Sequence, residues 1–245
     1  MNIKKRIMAA TGYRDTEPFV KEISASQLGS DILQIFLRYK YGVPKETEPS
    51  VSTMGSLLHL GMEKVLEDIE DVDTEVHFEK DIDGTEWKLT GTIDAFDRRC
   101  NTIYDWKMVK KYRVQKLEKE LETDPYTLQL NAYRILTGTN PVMKIVTFSC
   151  DAGYDFKTGS VIPVMKVIDV PEIPDELMMQ MIKDKVDAVE EHIKNGTTPE
   201  RCADVWLRKT KNGTVPIRCE QYCSYKKVCK RYNPKPEKVV ASWGY

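Results

Sequence analysis

Leu89-Thr90-Gly91-Thr92-Ile93-Asp94-Ala95-Phe96-Asp97 and Thr102-Ile103-Tyr104-Asp105-Trp106-Lys107-Met108-Val109 flank the polar break Arg98-Arg99-Cys100-Asn101. Both runs are rich in Thr, Ile, Val and aromatic residues, and the break between them predicts an antiparallel hairpin. With a four-residue loop, Asp97 faces Thr102 and Asp94 faces Asp105. Side chains directly opposite each other stand about 4.5–5.5 Å apart at Cβ, so two carboxylates there repel. A divalent cation between them would relieve that repulsion. Lys107, two positions beyond Asp105, leaves the same face of the strand, and Trp106 points the other way. Oxygen ligands suit Mg²⁺ or Mn²⁺, which can acidify a bound water and polarise a phosphate while a nearby lysine stabilises developing negative charge. A solvated hairpin with Lys107 as counter-ion would use the same residues.

Outward from this hairpin, the chain alternates helical and strand periods. Ser24–Tyr41 reads as one helix closed by Gly42 and Pro44, and Ser52–Ile69 as a second amphipathic helix that carries His59. Glu75–Lys80 and Trp87–Phe96 read as strands around an Asp83-Gly84 turn. Asp124-Pro125 supplies an N-cap and a proline at the first helical position, opening a helix through Leu136 that Gly138 ends. Val142–Cys150 and Val161–Val170 follow as strands, and Pro174–Asn195 as a long helix. The class expected is α/β (α+β), a mixed sheet flanked by helices. Residues 1–200 are expected to form the core with its N-terminal helices, and residues 201–245 a small cysteine-ligated module packed on it.

The ordered set Gly91-Thr92-Ile93-Asp94, then Asp105-Trp106-Lys107, resembles the core of the PD-(D/E)XK nuclease superfamily, and its surroundings resemble the RecB-like exonuclease branch. His59, in Gly55-Ser56-Leu57-Leu58-His59, is similar to the helical metal-ligand histidine that precedes the acidic motifs there. Gln129-Leu130-Asn131-Ala132-Tyr133 resembles the branch's Gln-x-x-x-Tyr motif. Helical spacing puts Gln129 and Tyr133 on one face, so an amide and a phenol can approach a nucleotide together; a buried polar pair has the same spacing. The resemblance implies a restriction-endonuclease-like core. It also implies that His59, Asp94 and Asp105 hold metal with the Trp106 carbonyl as a further ligand, that Lys107 acts on water or the transition state, and that Gln129 and Tyr133 serve DNA placement.

Four of the six cysteines, Cys202, Cys219, Cys223 and Cys229, crowd the C-terminal end. In a reducing compartment such a group suggests a structural metal, either a [4Fe–4S] cluster or Zn²⁺. Iron–sulfur nucleases of the RecB-like type, including relatives associated with CRISPR adaptation, usually take one cysteine from near the N-terminus and three from the C-terminus. Here no cysteine precedes Cys100, and three residues rather than two separate Cys219 from Cys223. With Cys202 as the fourth ligand, the staple is local.

The formal charge of −1 conceals a polarity: residues 201–245 carry eleven Lys or Arg against three Asp or Glu. Trp206, Tyr222, Tyr225, Tyr232 and Trp243 interleave with those charges, as a backbone-tracking and base-stacking surface requires, although a solvated tail would also be basic. No run approaches the length of a membrane span, and the apolar stretch after Lys4, Lys5 and Arg6 is too short for a signal peptide. The expectation is a cytoplasmic protein of a bacterial or phage-infected cell. It would be a Mg²⁺- or Mn²⁺-dependent deoxyribonuclease, an exonuclease of recombination, repair or phage DNA processing, acting on single- or double-stranded DNA beside a helicase or annealing protein. The alternatives are an inactive nucleic-acid-binding subunit that uses the cysteine-stapled basic tail, and a structural subunit of a larger complex.

Overall fold

A computed structural model describes residues 17–43, 51–155, 159–203, 205–211, 213–229 and 231. Tyr232, Trp243, Pro44 and the Lys4–Arg6 cluster lie outside the described residues. The chain divides into two compact units, one of Met1–Tyr13, Lys21–Gly29 and Glu46–Val186, the other of Arg14–Val20, Ser30–Lys45 and Asp187–Tyr245.

In the first unit, the strands in chain order are β1 (Glu22–Ser24), β2 (Val72–Asp81), β3 (Lys88–Asp97), β4 (Thr102–Val109), β5 (Val142–Ser149), β6 (Gly153–Asp155), β7 (Ser160–Ile162) and β8 (Met165–Asp169). All but β6 and β7 join one six-stranded mixed sheet. β2 runs antiparallel along β3, from Val72 opposite Asp97 to Asp81 opposite Lys88, and so occupies one edge of that strand. The other edge is shared. β1 pairs in parallel with Lys88–Thr90, and β4 pairs antiparallel only with Ala95–Asp97, which leaves Gly91–Asp94 in the gap where those two strands part. The hairpin register is the expected one, with Asp97 opposite Thr102. β4 then runs in parallel with β5, from Thr102 opposite Val142 to Val109 opposite Ser149. A parallel neighbour needs a crossover, and helices α3 (Lys111–Glu120) and α4 (Pro125–Thr137) provide it.

Two expectations are corrected. Ser24–Tyr41 is not one helix: β1 and a 3-10 turn (Ala25–Gln27) precede helix α1 (Ile32–Tyr41). Asp31 is extended at φ −68° and ψ 152°, which starts a new helix, and a Cβ on Gly29 would lie 2.4 Å from Cβ of Pro125. Val161–Val170 is likewise two strands, with β7 paired to β6 and only β8 joining the sheet beside β5. Pro163 lies at the break, and proline cannot donate to a ladder.

Successive residues of β4 meet different helices. Trp106 is buried with Ala95 and Val146 against Leu58, Met62 and Leu66 of α2 (Val51–Leu66), whereas the Asp105 side chain meets Gln129 of α4. α4 starts as expected: Asp124 accepts from the Tyr126 amide at 3.0 Å, and Gly138 closes the helix in the left-handed region at φ 64°. It is fixed laterally by Asn131, which donates to Pro171 O at 3.0 Å and accepts from Ile173 N at 2.8 Å. That anchor determines which face of α4 Gln129 and Tyr133 present to the sheet. Helix α5 (Asp175–Lys194) follows and contributes residues to both units.

The second unit holds α1, the hairpin of β9 (Leu207–Thr210) and β10 (Gly213–Pro216), and a π-helical turn at Arg218–Tyr222. Its cysteines share a unit with α1, a grouping that their spacing along the chain does not reveal. No helix among the described residues is long and apolar enough to cross a membrane.

Candidate active site

Asp94 sits in the gap where β1 and β4 part along one edge of β3, and its carboxylate takes the place of the missing pairing there. Oδ2 accepts from the Trp106 amide at 2.7 Å, and Oδ1 lies 3.3 Å from Nδ1 of His59. The same His59 nitrogen is 3.4 Å from Oε1 of Glu75. Hydrogen bonding to Asp94 first and to Glu75 second lifts the His59 imidazole from its usual 6.5 to about 10. The two carboxylates therefore favour a positive charge between them. His59, Glu75 and Asp94 each bring one ligand atom within 4.8 Å of the others, the one such grouping of three among the described residues. Nitrogen and carboxylate donors converging in this way fit a divalent cation.

Glu75 was not legible as a site residue, because it belongs to a strand in which acidic residues also occupy exposed positions. Its backbone gives it away: at φ 51° it lies in the left-handed region, inside a strand. The β2–β3 ladder accordingly passes from Thr74 opposite Ala95 to Val76 opposite Ile93, skipping Glu75 and Asp94. Local strain of this kind persists where surrounding structure enforces it, characteristically at functional positions.

Asp105 is fully buried and engaged from two sides. Lys107 Nζ lies 2.6 Å from its Oδ2, and Gln129 Nε2 donates to its Oδ1 at 2.9 Å. Asp105 is therefore placed beside the lysine rather than within the His59–Glu75–Asp94 group. Burial pushes its carboxyl up to about 6, against the pull of Lys107. For Lys107, burial opposes the charge, yet the Asp105 and Asp94 carboxylates outweigh it and hold the ammonium up to about 12. It stays protonated, able to donate to an anion.

Gln129 Nε2 also donates to the Tyr133 hydroxyl at 2.7 Å, so one amide ties the phenol to the Asp105 carboxylate. Burial, and then the nearby carboxylates of Asp105 and Asp94, raise the Tyr133 phenol well above its usual range, so it remains a neutral hydroxyl. Room for the ring comes from Gly91. A Cβ there would lie 2.8 Å from both Tyr133 Cε1 and Leu136 Cδ1. Tyr126 is a further neighbour that spacing did not single out: its ring centroid is 5.0 Å from Lys107 Nζ and 4.8 Å from Cζ of Arg113.

In the second unit, Cys202, Cys219, Cys223 and Cys229 line one cavity with Leu33 and Leu37 of α1. These residues border a shared space, but no three of the thiols lie as close to one another as the ligand atoms of the His59 group do. Asp31 and Gln34 organise their surroundings. Asp31 accepts from the Ala203 amide at 3.1 Å and from Arg218 at 3.0 Å, and Arg218 also donates to Gln34 at 2.8 Å. Burial first, then the Asp31 charge, pushes the Cys202 thiol up to about 12. Of the tail aromatics, Trp206 and Tyr222 form an edge-to-face pair at 5.4 Å.

A mixed sheet with buried acids and a lysine on adjacent strands, and a histidine brought in from a flanking helix, defines the class of protein. The sequence model of the PD-(D/E)XK nuclease superfamily matches residues 67–230, well over half of the chain, and the chain belongs to that superfamily. Among solved structures, SSO0001 is similar at TM-score 0.56 and 16% identity, with 93% of each chain covered. An alkaline exonuclease from Laribacter hongkongensis has TM-score 0.44 and 11% identity, covering 78% of this chain and 93% of its own. A phage-related exonuclease from Haemophilus somnus 129PT has TM-score 0.45 and 13% identity, covering 74% and 95%. No curated protein matches the sequence.

Proposed function

We propose that this nuclease-superfamily chain is a Mg²⁺- or Mn²⁺-dependent deoxyribonuclease of the RecB-like branch, acting as an exonuclease. The observation that carries the reading is the convergence of His59, Glu75 and Asp94 next to the buried Asp105–Lys107 pair. His59, Glu75 and Asp94 would hold the cation, with Asp105 and the Trp106 carbonyl as further candidates. A bound divalent cation supplies an acidified water and polarises the phosphoryl oxygen. Lys107 presents its ammonium to the developing negative charge, with Asp105 as its ion-pair partner. Gln129 keeps Asp105 oriented while Tyr133 leaves a hydroxyl proton for the substrate backbone. The exonuclease assignment and a role in recombination, repair or phage DNA processing rest on the likeness of the ordered set His59, Asp94, Asp105-Trp106-Lys107 and Gln129–Tyr133 to the RecB-like branch. Action beside a helicase or annealing protein rests on the small size of the chain alone.

The four C-terminal cysteines are proposed to hold a [4Fe–4S] cluster, with Zn²⁺ as the alternative, since four thiols on one apolar-walled cavity suit either. The test of the nuclease is incubation with linear and circular, single- and double-stranded DNA in Mg²⁺, Mn²⁺ or EDTA. Cleavage is expected with metal alone, and Lys107→Ala should lower its rate by about 100-fold or more. Equal rates for wild type and Lys107→Ala would overturn the assignment.

A further inference from the structure

Lysine is a compact charge on a flexible four-carbon stem, and one ion pair does not fix where such an ammonium points. Lys107 has the Asp105 carboxylate on one side. On another lies the Tyr126 ring, with its centroid 5.0 Å from Nζ. The ring is itself restrained. Arg113 lies over it at 4.8 Å, and that guanidinium is bound to both oxygens of the buried Asp124, at 2.8 Å from Nη2 to Oδ1 and 2.6 Å from Nη1 to Oδ2. Asp124 also accepts from the Tyr126 backbone amide at 3.0 Å. One carboxylate thus anchors both the backbone of Tyr126 and the cation resting on its ring.

We infer that Tyr126 is a positioning residue for Lys107: its ring face, braced by Arg113 and Asp124, holds the ammonium in the direction that meets the scissile phosphate. This rests on the nuclease reading proposed above. The Tyr126 hydroxyl hydrogen-bonds with Arg113, but the contact with Lys107 does not need it, because attraction of a cation to a ring comes from the quadrupole of the face, which phenylalanine shares. The residue acts on the transition state through Lys107 and leaves ground-state DNA binding alone, so kcat falls and KM does not when the ring is lost.

The experiment compares wild type, Tyr126→Phe and Tyr126→Leu in steady-state cleavage of a DNA substrate with Mg²⁺, with thermal unfolding as a control on folding. Tyr126→Phe should stay within about twofold of wild type, and Tyr126→Leu should lose about tenfold in kcat at unchanged KM, a loss in the range of a partly desolvated cation–ring contact. With Lys107→Ala in place, Tyr126→Leu should have no further effect, because the two act as one unit. Equal kcat for Leu and wild type, a Phe variant as impaired as Leu, or a loss confined to KM would each overturn the inference. A second readout does not need activity. In metal-free protein, NMR of labelled lysine should show the Lys107 ε-methylene protons shifted upfield by the ring, retained in Tyr126→Phe and lost in Tyr126→Leu. Unshifted protons in wild type would sink the inference. Absence of any wild-type cleavage would instead sink the nuclease reading, with the NMR result still deciding this one.

Discussion

Asp94 accepts a hydrogen bond from the backbone amide of Trp106 at 2.7 Å, so a side chain of one strand completes the ladder of its neighbour. β4 would have used that amide on β3 had their pairing continued past Ala95 and Tyr104. The carboxylate is thereby locked with its second oxygen toward His59. Asp94→Asn keeps an acceptor for the amide but loses the charge. It should fold, lose cleavage by about 100-fold or more, and no longer gain thermal stability on addition of Mn²⁺. Asp94→Ala leaves the buried Trp106 amide without a partner and should cost about 1–3 kcal/mol more in urea unfolding than Asn does. Equal stability of the two would mean that the amide is satisfied elsewhere.

Gly91 and Tyr133 are a matched pair. The 2.8 Å approach that a Cβ at Gly91 would make involves a ring packed at 4% exposure, with little freedom to move. Gly91→Ala should destabilise the fold by about 1–3 kcal/mol, as overpacking does. It should also reduce activity by displacing Tyr133 from Gln129. Gly55 and Gly61, which have nothing within 4 Å of a built Cβ, serve as controls and should accept alanine without loss.

Gln129 is the link between Asp105 and Tyr133, through bonds of 2.9 and 2.7 Å from one nitrogen. Gln129→Leu keeps the volume and removes both donors, leaving a buried carboxylate oxygen unpaired. A loss of about 1–3 kcal/mol and a fall in kcat should follow. Gln129→Glu places a second carboxylate against Asp105 and should be worse than leucine in both measures. A glutamate variant as active as wild type would show that the amide is replaceable.

How far the sequence led can be judged residue by residue. The hairpin register, the Asp124 cap and the placement of Gln129 beside Tyr133 were legible because turn length, capping chemistry and helical spacing are local. The split of Ser24–Tyr41 was not, since the close approach of Pro125 to Gly29 comes from far along the chain and leaves no mark on local periodicity. That Asp105 shares a strand face with Lys107 was legible from the two-residue period, but its carboxylate lying outside the grouping of His59, Glu75 and Asp94 depends on β4 leaving β3 for β5, a change of partner that periodicity cannot report. Glu75 enters the site only because its backbone turns left-handed within a strand, which no side-chain pattern encodes.

For the second unit, Asp31 makes a prediction about the proposed cysteine site. It holds the amide that follows Cys202 and the guanidinium that precedes Cys219. Asp31→Ala should therefore lower the iron or zinc content of anaerobically purified protein by about as much as outer partners of metal ligands usually do, roughly 10-fold in affinity. An iron–sulfur chromophore in wild type would separate iron from zinc. Undiminished metal in the Asp31 variant would remove the residue from that role.

Glu75 carries the sharpest expectation, because its backbone and its side chain are opposed. Left-handed φ in a residue with a Cβ costs about 1–2 kcal/mol, and glycine does not incur that cost. The same residue supplies one of three donors near a common point, where its negative charge repels that of Asp94. Glu75→Gly should therefore leave the metal-free protein within about 1 kcal/mol of wild type, because the relieved strain is offset by the lost contact with protonated His59 and by the greater backbone entropy of unfolded glycine. It should also weaken metal binding and cleavage. Glu75→Gln keeps the strained backbone and removes the charge that faces protonated His59, so it should lose activity and be less stable than the glycine variant. Chemical denaturation in EDTA and titration with Mn²⁺ read the two effects separately. A glycine variant that is both less stable and fully active would show that Glu75 is held left-handed for packing, and that the cation is held by other residues.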